Sequence, residues 1–277
     1  MSQSPPASAA LSPPRVLALL SDPRTAPYRD RFKPANDAEL LGAYMWSQAL
    51  SASFHPFVGF AEVVLRNAIH QTLSEQCSGG RSLSYAWYDR AVHGALPLRG
   101  KSLERVEEQL CEGRPPVRKV VQPNPDAMIA SLSFGFWPNV MEGLSHRYAP
   151  HAFTKVFAYH PNSKPQHWSK DANKTLVVLR LKRLQDLRNR ISHFEPIWKP
   201  HWLNIQAPHW SHSVEGLRLL HQEMLALLGW CSPDAVAAYK ASFAWNWFDK
   251  LCTTAAVKAF MANQTNAGFL PSFSQNT

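Results

Sequence analysis

Residues 188–193 read Arg-Asn-Arg-Ile-Ser-His, which sets a guanidinium beside a carboxamide and an imidazole five residues after the guanidinium. A guanidinium offers a fork of donors that matches phosphate oxygens, and an imidazole gives or takes a proton near neutrality. Asn189 precedes His193 by four residues, one helical turn, where it can hold the same substrate or orient the ring. In a chain of 277 residues with 17 Arg and 12 His, an Arg followed five residues on by a His is expected about 0.7 times by chance. Demanding Asn directly after the Arg lowers this to roughly 0.03. Arg188, Asn189 and His193 are therefore a candidate catalytic set for chemistry on a phosphate ester.

The element that must position them reads as a helix. Residues 171–193 are rich in Lys, Arg, Leu and Gln and contain no Gly or Pro, a composition that favours helix, and Pro196 should stop the run. At about 100° per residue, Val177, Leu181, Leu184, Leu187 and Ile191 share one side, and Asp186, Asn189, Arg190 and His193 share the opposite arc. Asp186 and Arg190 stand four apart with the acid first, a favourable order for an ion pair. Arg188 does not fit this division. It falls on or beside the apolar side, where a guanidinium needs a partner or a ligand. It also lies about 140° round the helix from His193, so one straight helix does not bring the two side chains together. Either the long arginine wraps round, or a second copy of the helix completes the site. His193 is in the last turn before Glu195, where the helix dipole favours imidazolium.

Helical spacing recurs elsewhere. In residues 37–73, Leu40, Leu41, Tyr44, Met45, Ala49, Phe57, Phe60, Ala61, Val64, Leu65 and Ile69 step by threes and fours, which predicts two helices broken near His55 and Pro56. Residues 102–110 and 214–230 are also helix-like, and Ser232-Pro233-Asp234 reads as a cap followed by a proline in the first turn of a last helix. Strand-like alternation is scarce, so the fold expected is all-α. The proline-rich residues 1–14 are expected to form a flexible tail, as are residues 263–277, leaving 15–262 as a single helical domain.

The segment LRNRISHFEPIW, residues 187–198, resembles the signature of Abi-like proteins, the bacterial abortive-infection family within the HEPN superfamily. FAEVVLRNAIH (residues 60–70), SFGFW (residues 133–137) and GWCSP (residues 229–233) resemble the family's other motifs in the expected order. The resemblance covers about residues 37–239. It implies a HEPN-like helical bundle and metal-independent RNA cleavage, in which the 2′-hydroxyl attacks the neighbouring phosphorus to leave a cyclic phosphate. In that reaction Arg188 would stabilise the phosphate, His193 would act as acid or base, and Asn189 would position them. It also implies a homodimer, with two such helices paired across the interface, and activity restrained by an antitoxin or inhibitor protein. The chain departs from the family at Phe194, where a second His is common. The alternative reading is a non-catalytic RNA-binding or partner-binding HEPN module, for example half of a toxin and antitoxin pair.

Other residues take supporting roles. Glu62 and Arg66 have the spacing of an i,i+4 ion pair and, with Asn67, read more readily as a buried brace than as a second active motif, since His70 follows Arg66 by four residues rather than five. Asp186, Arg190 and Glu195 support the motif from its own segment. Residues 133–137 read as a packed turn in which Gly135 permits close approach; the ten Trp read mostly as core or interface, with a stacking face at Trp198 and Trp202, close to the motif, as the lesser alternative. The chain carries a net charge of +9. Residues 164–199 hold nine Lys and Arg against three acids, so two thirds of the excess surrounds the motif, with Lys182, Arg183 and Lys199 as candidate RNA ligands.

Several function classes find no support. His201, His209 and His212 lack a nearby Cys or paired carboxylate, so no metal is expected. There is no phosphate-binding Gly-rich loop, nucleophile elbow or HExxH, and no cofactor is implied. Four dispersed cysteines suggest a reducing cytoplasm, and no run is long and apolar enough to enter a membrane.

Overall fold

Leu, Ala and the straight-chain charged residues fill the segments between the Pro and Gly breaks, and nearly all of those segments fold as helices. The structure, a computed structural model, describes residues 12–206 and 209–263. In chain order they form α1 (Pro13–Leu20), α2 (Asp22–Phe32), α3 (Asp37–Ser78), α4 (Gly100–Leu110), a hairpin of β1 (Cys111–Glu112) and β2 (Val117–Arg118), then α5 (Pro125–Ser131) and α6 (Phe136–Gly143). There follow α7 (Ala149–Val156), α8 (Pro165–Trp168), α9 (Asp171–Ser192), α10 (Pro200–Leu203), α11 (Ser211–Cys231), α12 (Pro233–Lys240), α13 (Phe243–Leu251) and α14 (Thr254–Met261). The hairpin strands are antiparallel, Cys111 opposite Arg118 and Glu112 opposite Val117. The fold is all-α, as expected.

Three expectations need correction or restatement. The tail assigned to residues 1–14 ends earlier, because Pro13 and Pro14 open α1, where a missing N–H costs nothing and the fixed φ suits the first turn. Residues 1–11 and 264–277 lie outside the described residues. The break near His55 and Pro56 is absent, since α3 runs through Pro56. His55 and Pro56 are exposed, while Phe54, Phe57 and Val58 are buried. An interior proline costs about 3 kcal/mol, and burying three large apolar side chains beside it, at about 1.5–3 kcal/mol each, offsets that. Finally, where one domain was expected, the chain groups into two compact units that interleave in sequence: Met1–Phe54 with Pro196–Leu219 and Phe243–Thr277, and His55–Glu195 with Leu220–Ser242. No linear boundary separates them, because α3 and α11 each contribute to both.

The first unit is built on aromatic contacts. Trp198 is buried and meets Tyr28 and Phe32 edge-on, each with ring centroids 5.0 Å away, so it is a core residue, as most of the tryptophans were expected to be, and not a stacking face. Trp46 donates its indole N–H to the Leu251 carbonyl at 2.9 Å. At Gly42 a Cβ would stand 2.2 Å from the Phe260 carbonyl oxygen. Backbone cannot yield as a flexible side chain can, so Gly42→Ala is expected to destabilise the protein by about 2 kcal/mol or more, read as a lowered urea midpoint.

The second unit carries the motif. Within it Val177, Leu181, Leu184, Leu187 and Ile191 of α9 are all buried, the most exposed at 7%. Five such side chains outweigh any ion pair on this helix, which is therefore held by its apolar face. Ser232 caps α12, accepting from the Ala235 N–H at 3.1 Å. The 133–137 segment turns as expected and runs into α6, with Phe134, Phe136 and Trp137 buried. A Cβ on Gly135 would reach within 2.6 Å of the Gln185 side chain, so this glycine lets the turn close on α9.

His70, on α3, is part of this core rather than of a second motif. Its Nδ1 accepts the Trp87 indole N–H at 3.0 Å, which leaves the ring proton on Nε2, facing Asp126 at 3.6 Å. Burial pushes its pKa below the ordinary value of 6.5, against the opposing pull of Asp126. A proton then binds the unfolded chain before the folded one, so this residue removes stability as pH falls below about 6.5. The fall in urea midpoint between about pH 7.5 and 5.5 is expected to be smaller in His70→Gln, whose amide oxygen can still accept from Trp87 without titrating.

Candidate active site

The end of α9 is set by backbone geometry. His193 is the C-cap, and its N–H bonds the Asn189 carbonyl at 2.9 Å. Phe194 follows at φ +55°, with its N–H on the Ile191 carbonyl at 3.1 Å and the Glu195 N–H on the Arg190 carbonyl at 2.8 Å. These are the two bonds of a Schellman stop, in which the left-handed position usually holds glycine. A bulky side chain there costs about 1–2 kcal/mol, and Phe194 is 67% exposed. The helix thus ends before Pro196, and His193 comes at its C-terminal edge, exposed and at the negative end of the helix dipole.

Arg188, the residue that fitted neither face of the helix, finds its partner on α3. Its Nε lies 3.7 Å from Glu62 Oε2, with the arginine side chain 41% exposed and the glutamate 18%. Its Nη1 also donates to Asn189 Oδ1 at 3.4 Å. At these distances the guanidinium is oriented but not saturated, and donors remain for an incoming anion. The sequence pointed to a Glu62–Arg66 pair. In the structure Glu62 takes Arg188 instead. Arg66 Nε is buried without a hydrogen-bond partner, and Asn67 is exposed. Glu62 thus pairs across helices rather than along one.

Arg188 and His193 do not meet. Among the described residues the His193 ring makes no hydrogen bond, ion pair or ring contact, and Arg188 has turned toward α3. Of the two alternatives the sequence left open, the arginine has not wrapped round to the histidine within one chain. Asp186 is exposed, and Arg190 donates to Glu195 Oε2 at 3.0 Å, which ties the segment after the helix back onto its last turn.

The basic segment is less free than its composition suggests. Lys182 holds both oxygens of Glu142 at 2.7 and 2.8 Å, Arg183 holds Glu223 at 2.9 Å, and Lys174 holds Asp171 at 2.8 Å. Glu142, Glu223 and Glu62 all come from outside residues 164–199, so linear counting overstated the local excess. Lys182 and Arg183 accordingly present cations that already hold carboxylates. Lys199 belongs to the first unit, where it lines a depression with Asp30, Arg31 and His201. His209 bonds Ser211 Oγ at 2.7 Å, and among the described residues no group of three or more His, Cys, Asp or Glu is placed to hold a metal ion. No helix among them is long and apolar enough to cross a membrane. No family model, curated protein or solved structure matches the chain.

Proposed function

We propose that the chain is a metal-independent endoribonuclease of abortive-infection or toxin type, with Arg188, Asn189 and His193 as its reacting groups. The observation that carries the proposal is the arrangement at the end of α9: a guanidinium oriented by Glu62 and Asn189 with donors to spare, and an exposed imidazole on the same helix free of any competing partner. In the reaction the RNA 2′-hydroxyl loses its proton and bonds to the adjacent phosphorus. The bond from phosphorus to the 5′-oxygen breaks, and that oxygen takes a proton, leaving a 2′,3′-cyclic phosphate and a 5′-hydroxyl. His193 serves one of the two proton transfers, and Arg188 offsets the charge that builds on the phosphoryl oxygens.

A second copy of the chain supplies what one copy does not bring together. Two copies aligned along α9 would set the Arg188 of one near the His193 of the other. The exposed Phe60 and Val63 on either side of Glu62 favour such a pairing, since exposed apolar residues beside a site mark an interface. Incubating purified protein with labelled RNA in excess chelator tests the activity. Fragments ending in a cyclic phosphate are expected, and cleavage that appears only when a divalent metal is added would overturn the proposal.

The separation of Arg188 from His193 within one chain also favours a second reading, a module that binds RNA or a partner protein without cutting. Wild type that binds RNA, cleaves none, and binds equally well as Arg188→Ala and His193→Ala would establish it.

A further inference from the structure

Residues 143–170 contain no Asp or Glu, although the chain has 20 in 277 residues, a frequency that predicts about two in such a window. The same stretch holds Arg147, Lys155, Lys164 and Lys170, with four histidines. Arg147, in the turn before α7, and His151 and Lys155, on the helix, stand four residues apart, and all three are exposed. Tyr159 continues the interval and is 63% exposed. Arg147 stands over the Tyr148 ring at 5.5 Å. Among the described residues none of the four Lys and Arg side chains has a carboxylate partner, unlike Lys174, Lys182, Arg183, Arg188 and Arg190 on α9. The two acids that flank the stretch are already engaged, Glu142 by Lys182 and Asp171 by Lys174. His160 is drawn inward, its ring 4.5 Å from that of Trp230, so the outward charge is carried by the α7 row and the lysines beyond it.

We propose that the exposed side of α7, with Arg147 just before the helix and Tyr159 in the turn after it, is the track for a single-stranded RNA backbone. The proposal rests on the reading above only in naming RNA as the polyanion. Arg147 and Lys155 are eight residues apart, about 12 Å at the helical rise of about 1.5 Å per residue, so the two cations can meet separate phosphates of one extended strand, with the exposed His151 between them. An exposed tyrosine beside such a row gives a base a ring to stack on, as single-strand binding surfaces do. Lys174, Lys182 and Arg183 on α9 cannot serve as well, because each would first have to release its carboxylate.

The test is anisotropy of a fluorescein-labelled, 2′-O-methylated oligoribonucleotide of about twelve nucleotides, which cannot be cleaved, so that binding is read apart from catalysis. R147E/K155E is expected to bind at least tenfold more weakly, and Y159A about fivefold more weakly. R147Q/K155Q, which adds no repulsion, is expected to flatten the dependence of log Kd on log salt by about 1.4. The control K250E/K258E, on α13 and α14, should bind as wild type does. Circular dichroism confirms that each variant is folded. Binding unchanged in R147E/K155E, an equal loss in the control, no binding by wild type, or tighter binding to phosphatidylglycerol vesicles or an acidic peptide than to the oligonucleotide would overturn the proposal. Wild type that binds through this face and cleaves no unmodified RNA would sink the nuclease reading and leave the track standing; cleavage with unchanged binding in R147E/K155E would do the reverse.

Discussion

His193→Ala is expected to lower RNA cleavage by about a hundred- to ten-thousandfold, the usual contribution of a positioned proton donor or acceptor. Its thermal midpoint should stay within about a degree of wild type. The two expectations belong together because the ring is exposed and makes no hydrogen bond, ion pair or ring contact among the described residues, so removing it deletes a reactive group and little packing. His193→Gln sharpens the test. The amide can still hydrogen-bond a phosphate oxygen but cannot carry a proton, so it should fail as the alanine does. Rescue by glutamine would make the residue a binding group. In cells, induced wild type should arrest growth with RNA degraded, and induced His193→Ala should not. Cleavage unchanged in the alanine variant would remove His193 from the reaction.

The parts of the fold that were legible in the sequence are those governed by local periodicity. Residues 171–193 and 214–230 announced α9 and α11 because their apolar positions recur with the helical period over five turns, and every residue assigned to the buried side of α9 is buried. Pro56 misled because proline speaks only for its own hydrogen bond, whereas the continuity of α3 depends on what Phe54, Phe57 and Val58 bury. The short helices α6, α7 and α8 were missed for a related reason. A helix of eight residues or fewer has about two turns in which to show a period, and tertiary contacts stabilise it more than its own composition does. The interleaving of two units through α3 and α11 has no local signal at all.

The candidate site was legible as a list and not as a geometry. The spacing of Arg188 on the apolar side showed that it needed a partner, and Glu62 was already among the supporting residues, but which of Arg66 and Arg188 it would take depends on how α9 lies against α3. Charge was the least legible property. Lys182 and Arg183 looked like free cations because Glu142 and Glu223 stand forty residues away in sequence, whereas the unpaired bases on and around α7 were missed because the signal there is an absence of acids, which a count of bases overlooks.

The second large effect is expected at Arg188. Arg188→Ala should lower cleavage by about a hundred- to a thousandfold, as loss of one preorganised donor to a developing charge does, while costing no more than about 1 kcal/mol of stability, because the pair with Glu62 is long and partly exposed. Arg188→Lys separates charge from shape. It keeps the cation and loses the fork, so if Arg188 grips two phosphoryl oxygens the lysine enzyme stays at least tenfold impaired. Glu62 acts only by aiming that fork, which gives it a signature of its own. Glu62→Gln should reduce kcat by less than Arg188→Ala and leave KM nearly unchanged, and adding it to Arg188→Ala should cost nothing further, since a brace with nothing to hold has no effect. An additive loss in the double variant would mean that Glu62 touches the substrate directly, and the site would then include α3 as well as α9.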